Sequence, residues 1–114
     1  MIDMFFKALS EESRLRILSL LMIREMCVCE IETYLKMTQS NASRHLTVLK
    51  NCGIIESYKQ AQWAYFKIDE HFKQDNKALW EYLQITLKQI RTYPDDFKEY
   101  EKYKGNDICT HIHK

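Results

Sequence analysis

Residues that break regular structure are scarce in this chain of 114 residues, which contains two glycines and one proline. A strand-rich sandwich needs frequent turn residues, so this scarcity excludes that class and favours helices. With 46% hydrophobic residues, the length suits one domain with a real core. The net charge of +1 provides no overall basic field, so any case for nucleic-acid binding has to come from local pattern.

The chain also lacks a hydrophobic run long enough to cross a membrane. Its apolar start, residues 1–9, covers only about two helical turns and has no small-residue cleavage site. We therefore expect a cytoplasmic protein with no membrane partner. The four cysteines of such a chain are expected in a reducing compartment, where thiols serve metal binding or redox chemistry rather than structural disulfides.

Apolar residues recur at helical spacing in the first half of the chain and predict four helices, over residues 2–9, 11–23, 27–36 and 39–51. Ser10 is placed to cap the second helix and Thr38 the fourth. Gly53 is placed to end the fourth helix.

The second half predicts a hairpin and one long helix. Residues 54–58 and 63–68 are rich in β-branched and aromatic side chains, although the connection between them lacks Gly, Asn and Asp. Asp69 is placed to cap a helix that extends nearly to Pro94. Its apolar stripe needs a partner and consists of Phe72, Leu79, Leu83, Leu87 and Ile90.

The sequence divides into a domain over residues 1–92 and a polar tail over residues 93–114. The tail carries many charges and is predicted to form a short helix followed by a mobile end. The expected fold is mostly α with a small β-hairpin, in the order α-α-α-α-β-β-α.

The fourth helix carries its polar residues opposite the apolar face of Ala42, Leu46 and Leu49. A short helix that follows a tight turn and presents small polar and cationic groups suits the major groove of DNA, with the hairpin as a wing. Arg44 can contact a guanine edge or a phosphate, and Gln39 can pair with adenine. The predicted contacts to double-stranded DNA are Gln39, Ser40, Ser43, Arg44, Thr47, Lys59 and Gln62.

Two other interpretations of this helix remain. Such side chains also occur on ordinary solvent-exposed helix faces. Only the order of helices and hairpin favours DNA binding over this simpler explanation. A winged helix that binds a protein instead of DNA would make Arg44 and Thr47 incidental. An enzyme is not expected, because no nucleophile, base and orienting group recur at a known spacing, and no organic cofactor is implied.

Cys27 and Cys29 are the first candidates for an ion site. Inside a regular helix, side chains two positions apart point about 200° away from each other, so one ion could bind both only by distorting the helix start. Thiolates select soft ions, which include trivalent arsenic and antimony, Cd(II), Pb(II) and Cu(I). A low-pKa thiol that senses oxidants or persulfides is the alternative use of this pair.

Three stretches resemble the ArsR/SmtB family of metal-sensing repressors: residues 25–31 with Cys27-Val28-Cys29, residues 39–46 with Ser43-Arg44-His45-Leu46, and residues 63–66. The resemblance extends from about Met4 to Ile90. It implies a homodimeric winged helix-turn-helix that represses its own promoter until an ion binds. It also implies that Gln39, Ser40, Ser43 and Arg44 face DNA, and that the first and last helices form the dimer interface.

The Cys-Val-Cys pattern resembles that of the arsenite-responsive members, which place three sulfurs around arsenic. The resemblance therefore implies arsenite or antimonite as effector, with a Cd or Pb sensor as the alternative. Glu32 occupies the position of a third cysteine, so Cys109 and Cys52 become candidates, although Cys52 is better explained as a core residue. The zinc-sensing branch is disfavoured, because no histidine lies between Phe72 and Arg91.

The four histidines are weaker candidates for ion binding. His111 and His113 are better explained as part of an exposed tail. His45 and His71 are expected at the surface or close to DNA.

Overall fold

The computed structural model describes residues 2–105. Its helices and strands, in chain order, are α1 (Ile2–Leu9), α2 (Glu12–Leu21), β1 (Met26–Cys27), α3 (Val28–Leu35), α4 (Gln39–Asn51), β2 (Ile55–Gln60), β3 (Trp63–Ile68), α5 (Glu70–Asp75), α6 (Lys77–Thr86) and α7 (Tyr93–Tyr103), with a 3₁₀ turn at Leu87–Gln89. The predicted mostly helical fold with a small sheet is confirmed. None of the helices in residues 2–105 is long and apolar enough to span a membrane.

The core lies where α2, α3 and α4 pack against one another and against the sheet. Its most buried side chains include Ile17, Leu20, Ile31 and Leu49, all without solvent exposure. Burying one such aliphatic side chain contributes about 1.5–3 kcal/mol, so these three helices form the rigid centre that holds the rest.

The sheet has three strands in the order β1-β3-β2, all antiparallel. The short strand β1 was not predicted from the sequence, because two residues are too few to show alternation. The hairpin was predicted correctly, but its first strand continues to Gln60, which pairs with Trp63. The connection is therefore Ala61 and Gln62, and Ala61 takes a left-handed conformation with φ 58°.

The capping predictions were right at two sites and wrong at one. Thr38 caps α4 by accepting a hydrogen bond from the Asn41 amide at 3.2 Å, and Asp69 caps α5 in the same way. Ser10 does not cap α2, because its hydroxyl donates to the Lys7 carbonyl at 2.7 Å and Glu11 takes the N-cap position.

The long helix predicted from Asp69 to about Pro94 is wrong as a single element. The chain leaves helical geometry at Asn76, where φ is −129° and ψ is 52°, and this divides α5 from α6. Pro94 does not end a helix but stands in the first turn of α7, where a missing amide hydrogen costs nothing.

The apolar stripe that was predicted to need a partner finds much of it within the same chain. Phe72, Leu83 and Leu87 are 2–5% exposed and join the core of the same chain. The large apolar side chains that stay exposed are others, namely Ile2, Met4 and Phe6 on α1, Val48 on α4, and Tyr82 and Ile85 on α6.

The short helix predicted after Pro94 is present as α7, and it packs on α2 and α3. Arg16 donates two hydrogen bonds of 2.9 Å to the Asp96 carboxylate of α7 and a third, also of 2.9 Å, to the Leu35 carbonyl. The boundary at residues 92 and 93 stays a prediction, and residues 106–114 lie outside the described part.

Candidate DNA interface and thiol site

The outward face of α4 is built as the periodicity predicts. Ala42, Leu46 and Leu49 are buried against the core. The five polar residues predicted to contact DNA from this helix are all exposed: Gln39, Ser40, Ser43, Arg44 and Thr47. Because the helix is anchored by its apolar side, these groups form one continuous polar surface.

The wing stands beside this helix and leaves a groove between them. Lys59 and Gln62, the predicted wing contacts, are exposed at its outer end. Thr47 and Lys50 line the groove from α4, and Tyr58 and Lys59 line it from β2. The sequence argument missed Lys50, although its spacing of three residues from Thr47 puts it on the same face.

His45 is not a surface residue, because its side chain is 3% exposed. Its Nδ1 lies 3.2 Å from a guanidinium nitrogen of Arg14, and its Nε2 lies 3.5 Å from one of Arg44. Burial lowers the pKa of this imidazole below 6.5, and the charges of Arg44 and Arg14 act in the same direction. At neutral pH the ring is therefore uncharged on the buried side of α4.

The two cysteines of the predicted ion site lie side by side. Their Sγ atoms are 2.8 Å apart, and both residues are 3% exposed. The expectation that they point apart is wrong, because α3 begins only at Val28 and Cys27 is its extended N-cap, with φ −85° and ψ 166°. The two sulfurs can thus meet one ion without distorting the helix.

The backbone of Cys27 is held from two sides. It pairs with Tyr65 of β3. Its amide donates to the Glu30 carboxylate at 3.0 Å, while the other oxygen of Glu30 accepts from Arg24 at 2.8 Å. Glu30 occupies the third helical position, where such a side chain commonly reaches back to the N-cap amide.

A tyrosine pair connects this junction to the wing. Tyr65 stacks on Tyr58 with ring centroids 5.6 Å apart and planes 16° from parallel. The Tyr58 hydroxyl donates to the Glu25 carboxylate at 2.5 Å, and this bond raises the pKa of Tyr58 to about 12. Glu25 precedes Cys27 by two residues, so the wing touches the segment that carries the thiols.

The described residues supply two sulfurs to this site and no more. Within residues 2–105, no group of three or more His, Cys, Asp or Glu side chains is arranged to hold a metal ion. Cys52 lies in the core at the end of α4, as predicted, and burial raises the pKa of its thiol. Cys109, His111 and His113 lie outside the described residues.

A helix-turn-helix with a hairpin wing on a helical core defines a winged helix-turn-helix protein. Residues 11–57 match the family described as bacterial regulatory protein, arsR family. The chain is 36% identical over 84 residues to the arsenic resistance transcriptional regulator ArsR2 of Pseudomonas putida, covering 73% of this chain and 70% of that protein. The chain therefore belongs to the arsR family, whose members are transcriptional regulators and not enzymes.

Two further relatives extend this comparison. A CadC homolog of Staphylococcus aureus, a cadmium resistance transcriptional regulatory protein, is 39% identical over 71 residues. That match covers 60% of this chain and 59% of the relative, so the chain spans less than two thirds of its length. A homodimeric winged helix-turn-helix DNA-binding domain from Mycobacterium bovis superposes with a TM-score of 0.64 at 29% identity, covering 75% of this chain and 79% of that domain.

Proposed function

We propose that this protein is a homodimeric repressor that leaves its operator DNA when arsenite, antimonite or another soft ion binds to Cys27 and Cys29. The contact of the two sulfur atoms, 2.8 Å apart at the start of the helix-turn-helix, carries this proposal. Thiolates prefer soft ions to hard ones. Relatives that are named for arsenic and cadmium resistance support the same ion class.

Cys109 is the proposed third sulfur around a pyramidal arsenic. Helix α7 packs on α3, which carries Cys29, and its Tyr100 ring lies 5.7 Å from the Arg24 guanidinium, which binds Glu30. The six residues from the end of α7 to Cys109 can span about 20 Å when extended. Cys52 is not proposed, since it forms no ligand group with the pair.

The DNA contacts in this proposal are those predicted from the sequence, with Lys50 added. Arg44 and Gln39 read base edges, while Lys50 and Lys59 flank the groove as cations for the phosphate backbone. Serine and threonine hydroxyls on α4 contribute further polar contacts. A two-fold dimer would then read two half-sites with the symmetry of the protein.

A second copy of the chain is the proposed partner of the exposed apolar side chains on α1 and α6. Three of them, Phe6, Tyr82 and Ile85, are 59–63% exposed, which is unusual for such large groups in a monomer. The homodimeric relative from M. bovis supports this assembly. The interface would use these residues rather than the buried stripe that the sequence suggested.

The wing is the proposed route from the ion to the DNA. Ion binding at Cys27 would shift the strand β1, which is paired to β3, and the Glu25 carboxylate that holds Tyr58. Either shift would move Lys59, which follows Tyr58 in β2. A coupling free energy of about 1–3 kcal/mol is typical of such linked sites.

The proposal is tested by fluorescence anisotropy of the reduced protein on its own upstream DNA at fixed salt, with arsenite, Cd(II) and Zn(II) added separately. We expect nanomolar-range binding and release by arsenite at concentrations where Zn(II) has no effect. Release by Cd(II) alone would assign the site to the cadmium type. Tight binding that no ion changes would refute the ion-sensing function.

A thiol-based redox sensor is the second candidate, and the same sulfur contact favours it. Two thiols this close can join as a disulfide with little movement, releasing two protons and two electrons to a peroxide or a disulfide oxidant. In that case hydrogen peroxide would release the DNA, dithiothreitol would restore binding, and arsenite would have no effect.

Changing Tyr58 to phenylalanine tests the route through the wing. We expect the affinity for DNA without ion to stay within about threefold, while the loss of affinity on adding arsenite shrinks about fivefold, since one hydrogen bond of the link is removed. Tyr65→Phe is the matched control, because it keeps the stacked ring and leaves the hydrogen bond from Tyr58 to Glu25 in place. An unchanged arsenite effect in Tyr58→Phe would assign the coupling to the packing of α3 on α4 instead.

A further inference from the structure

A row of three side chains, half-buried Arg14, buried His45 and exposed Arg44, connects α1 to α4. His45 follows Arg44 directly in α4 and lies between the two guanidinium groups. It belongs neither to the ion site nor to the polar surface of α4, since its ring is almost completely covered. A buried polar ring in this position needs a reason beyond packing.

Arg14 is held firmly at the other end of the row. Its Nε donates to the Ala8 carbonyl at 2.7 Å, and one of its terminal nitrogens donates to the Lys7 carbonyl at 3.4 Å. These carbonyls belong to the last turn of α1, and that of Lys7 also accepts from the Ser10 amide and hydroxyl. Arg14 therefore places its remaining nitrogen at a constant position, 3.2 Å from His45 Nδ1.

The hydrogen bond from Arg14 decides which nitrogen of His45 carries the proton. A guanidinium only donates, so Nδ1 has to accept, and a neutral imidazole then carries its hydrogen on Nε2. That hydrogen faces Arg44, which also only donates, at 3.5 Å. The ring therefore does not bind Arg44 but prevents it from folding back onto the helix.

Arg44 is restrained from the opposite direction as well. It donates to the Asn41 side-chain oxygen at 3.3 Å, one helical turn earlier. Between Asn41 and the covered His45 ring, the guanidinium of Arg44 has few orientations left, and it remains exposed towards the outer face of α4. Restricting a long side chain before binding reduces the entropy it loses on binding.

We propose that His45 is a positioning residue for DNA recognition, which holds Arg44 ready for a base edge and ties its orientation to α1 through Arg14. This inference rests on the proposed contact of Arg44 with DNA. Because α1 is also the proposed dimer helix, the row would keep the two Arg44 side chains of a dimer in a defined relation. The neutral state of His45, favoured by its lowered pKa, is compatible with this role.

The test is a double-mutant cycle between His45 and Arg44, measured by anisotropy on operator DNA and on an unrelated duplex at the same salt. We expect His45→Ala to weaken operator binding about tenfold and to leave binding to the unrelated duplex unchanged. In the Arg44→Ala background, His45→Ala should have no further effect. His45→Asn should restore most of the affinity, because its amide oxygen can accept the Arg14 hydrogen bond in place of Nδ1.

Two controls separate positioning from folding and from the DNA contact itself. Arg14→Lys keeps the charge and the buried ring but loses the fixed donor to Nδ1, so it should also weaken operator binding. This variant tests the positioning role even if His45→Ala folds poorly. Additive effects of His45→Ala and Arg44→Ala, or equal losses on both duplexes, would overturn the positioning role. If Arg44→Ala leaves operator affinity unchanged, the proposed DNA contact and the positioning role both fail. If Arg44→Ala weakens operator binding but His45→Ala does not, only the positioning role fails.

Discussion

Replacing Cys27 or Cys29 with serine is expected to abolish the release of operator DNA by arsenite. A serine hydroxyl is a hard ligand that stays protonated at neutral pH, so arsenic would lose one of its bonds to sulfur. We expect the arsenite concentration for half-release to rise by at least about 100-fold in either variant, from the loss of one thiolate ligand. DNA affinity without ion should stay near that of the original protein, because both side chains are buried and do not belong to the exposed polar face of α4.

The measurement combines anisotropy on operator DNA with the arsenic content of the protein after gel filtration. Cys52→Ala is the control for cysteine loss, since Cys52 sits in the core and forms no ligand group with the pair. Cys109→Ser distinguishes two and three sulfurs: a loss as large as that of Cys27→Ser would support the third ligand. Full arsenite response in Cys27→Ser would contradict the site.

Replacing Asp96 with alanine is expected to produce the largest loss of stability by a single change outside the aliphatic core. Asp96 is 4% exposed and accepts two hydrogen bonds of 2.9 Å from Arg16, so its removal leaves a partly covered guanidinium without its carboxylate. Breaking such a pair costs about 2–3 kcal/mol after discounting for the partial exposure of Arg16. Urea unfolding at neutral pH, followed by far-UV circular dichroism, measures the change in the free energy of unfolding.

Asp95→Ala is the matched control for this change. Asp95 lies in the same first turn of α7 and interacts equally well with the positive end of the helix, but it is exposed. We expect a loss of only about 0.5 kcal/mol there. Equal losses in the two variants would show that the pair between Arg16 and Asp96 contributes nothing beyond the helix dipole.

Local signals were sufficient for much of the fold and for the exposed polar face of α4. The bounds of α1 and α4, the Thr38 cap and the hairpin could be predicted because periodicity, caps and β propensity act between residues close in sequence. The candidate contacts on α4 followed from the same periodicity. Residue type alone made the two cysteines the candidate site for soft ions.

Contacts between distant residues decided the parts that the sequence argument missed. His45 contacts Arg14, which lies 31 positions earlier, and α7 is held by the pair of Arg16 and Asp96, which are 80 positions apart. Contacts over such sequence distances produce no periodic pattern. Exposed apolar residues likewise differ from those expected, because which side of α6 meets the core depends on how the chain turns at Asn76.

The thiol pair shows the division most clearly. The amino-acid sequence by itself determined that two thiols, a recognition helix and a wing occur together in one small domain. Only the tertiary structure decided that the thiols meet, because pairing of β1 with β3 extends the backbone at Cys27 and delays the start of α3 by one residue. Helix and strand are nearly equal choices for a short segment on local grounds, and hydrogen bonds to a distant strand determine which forms.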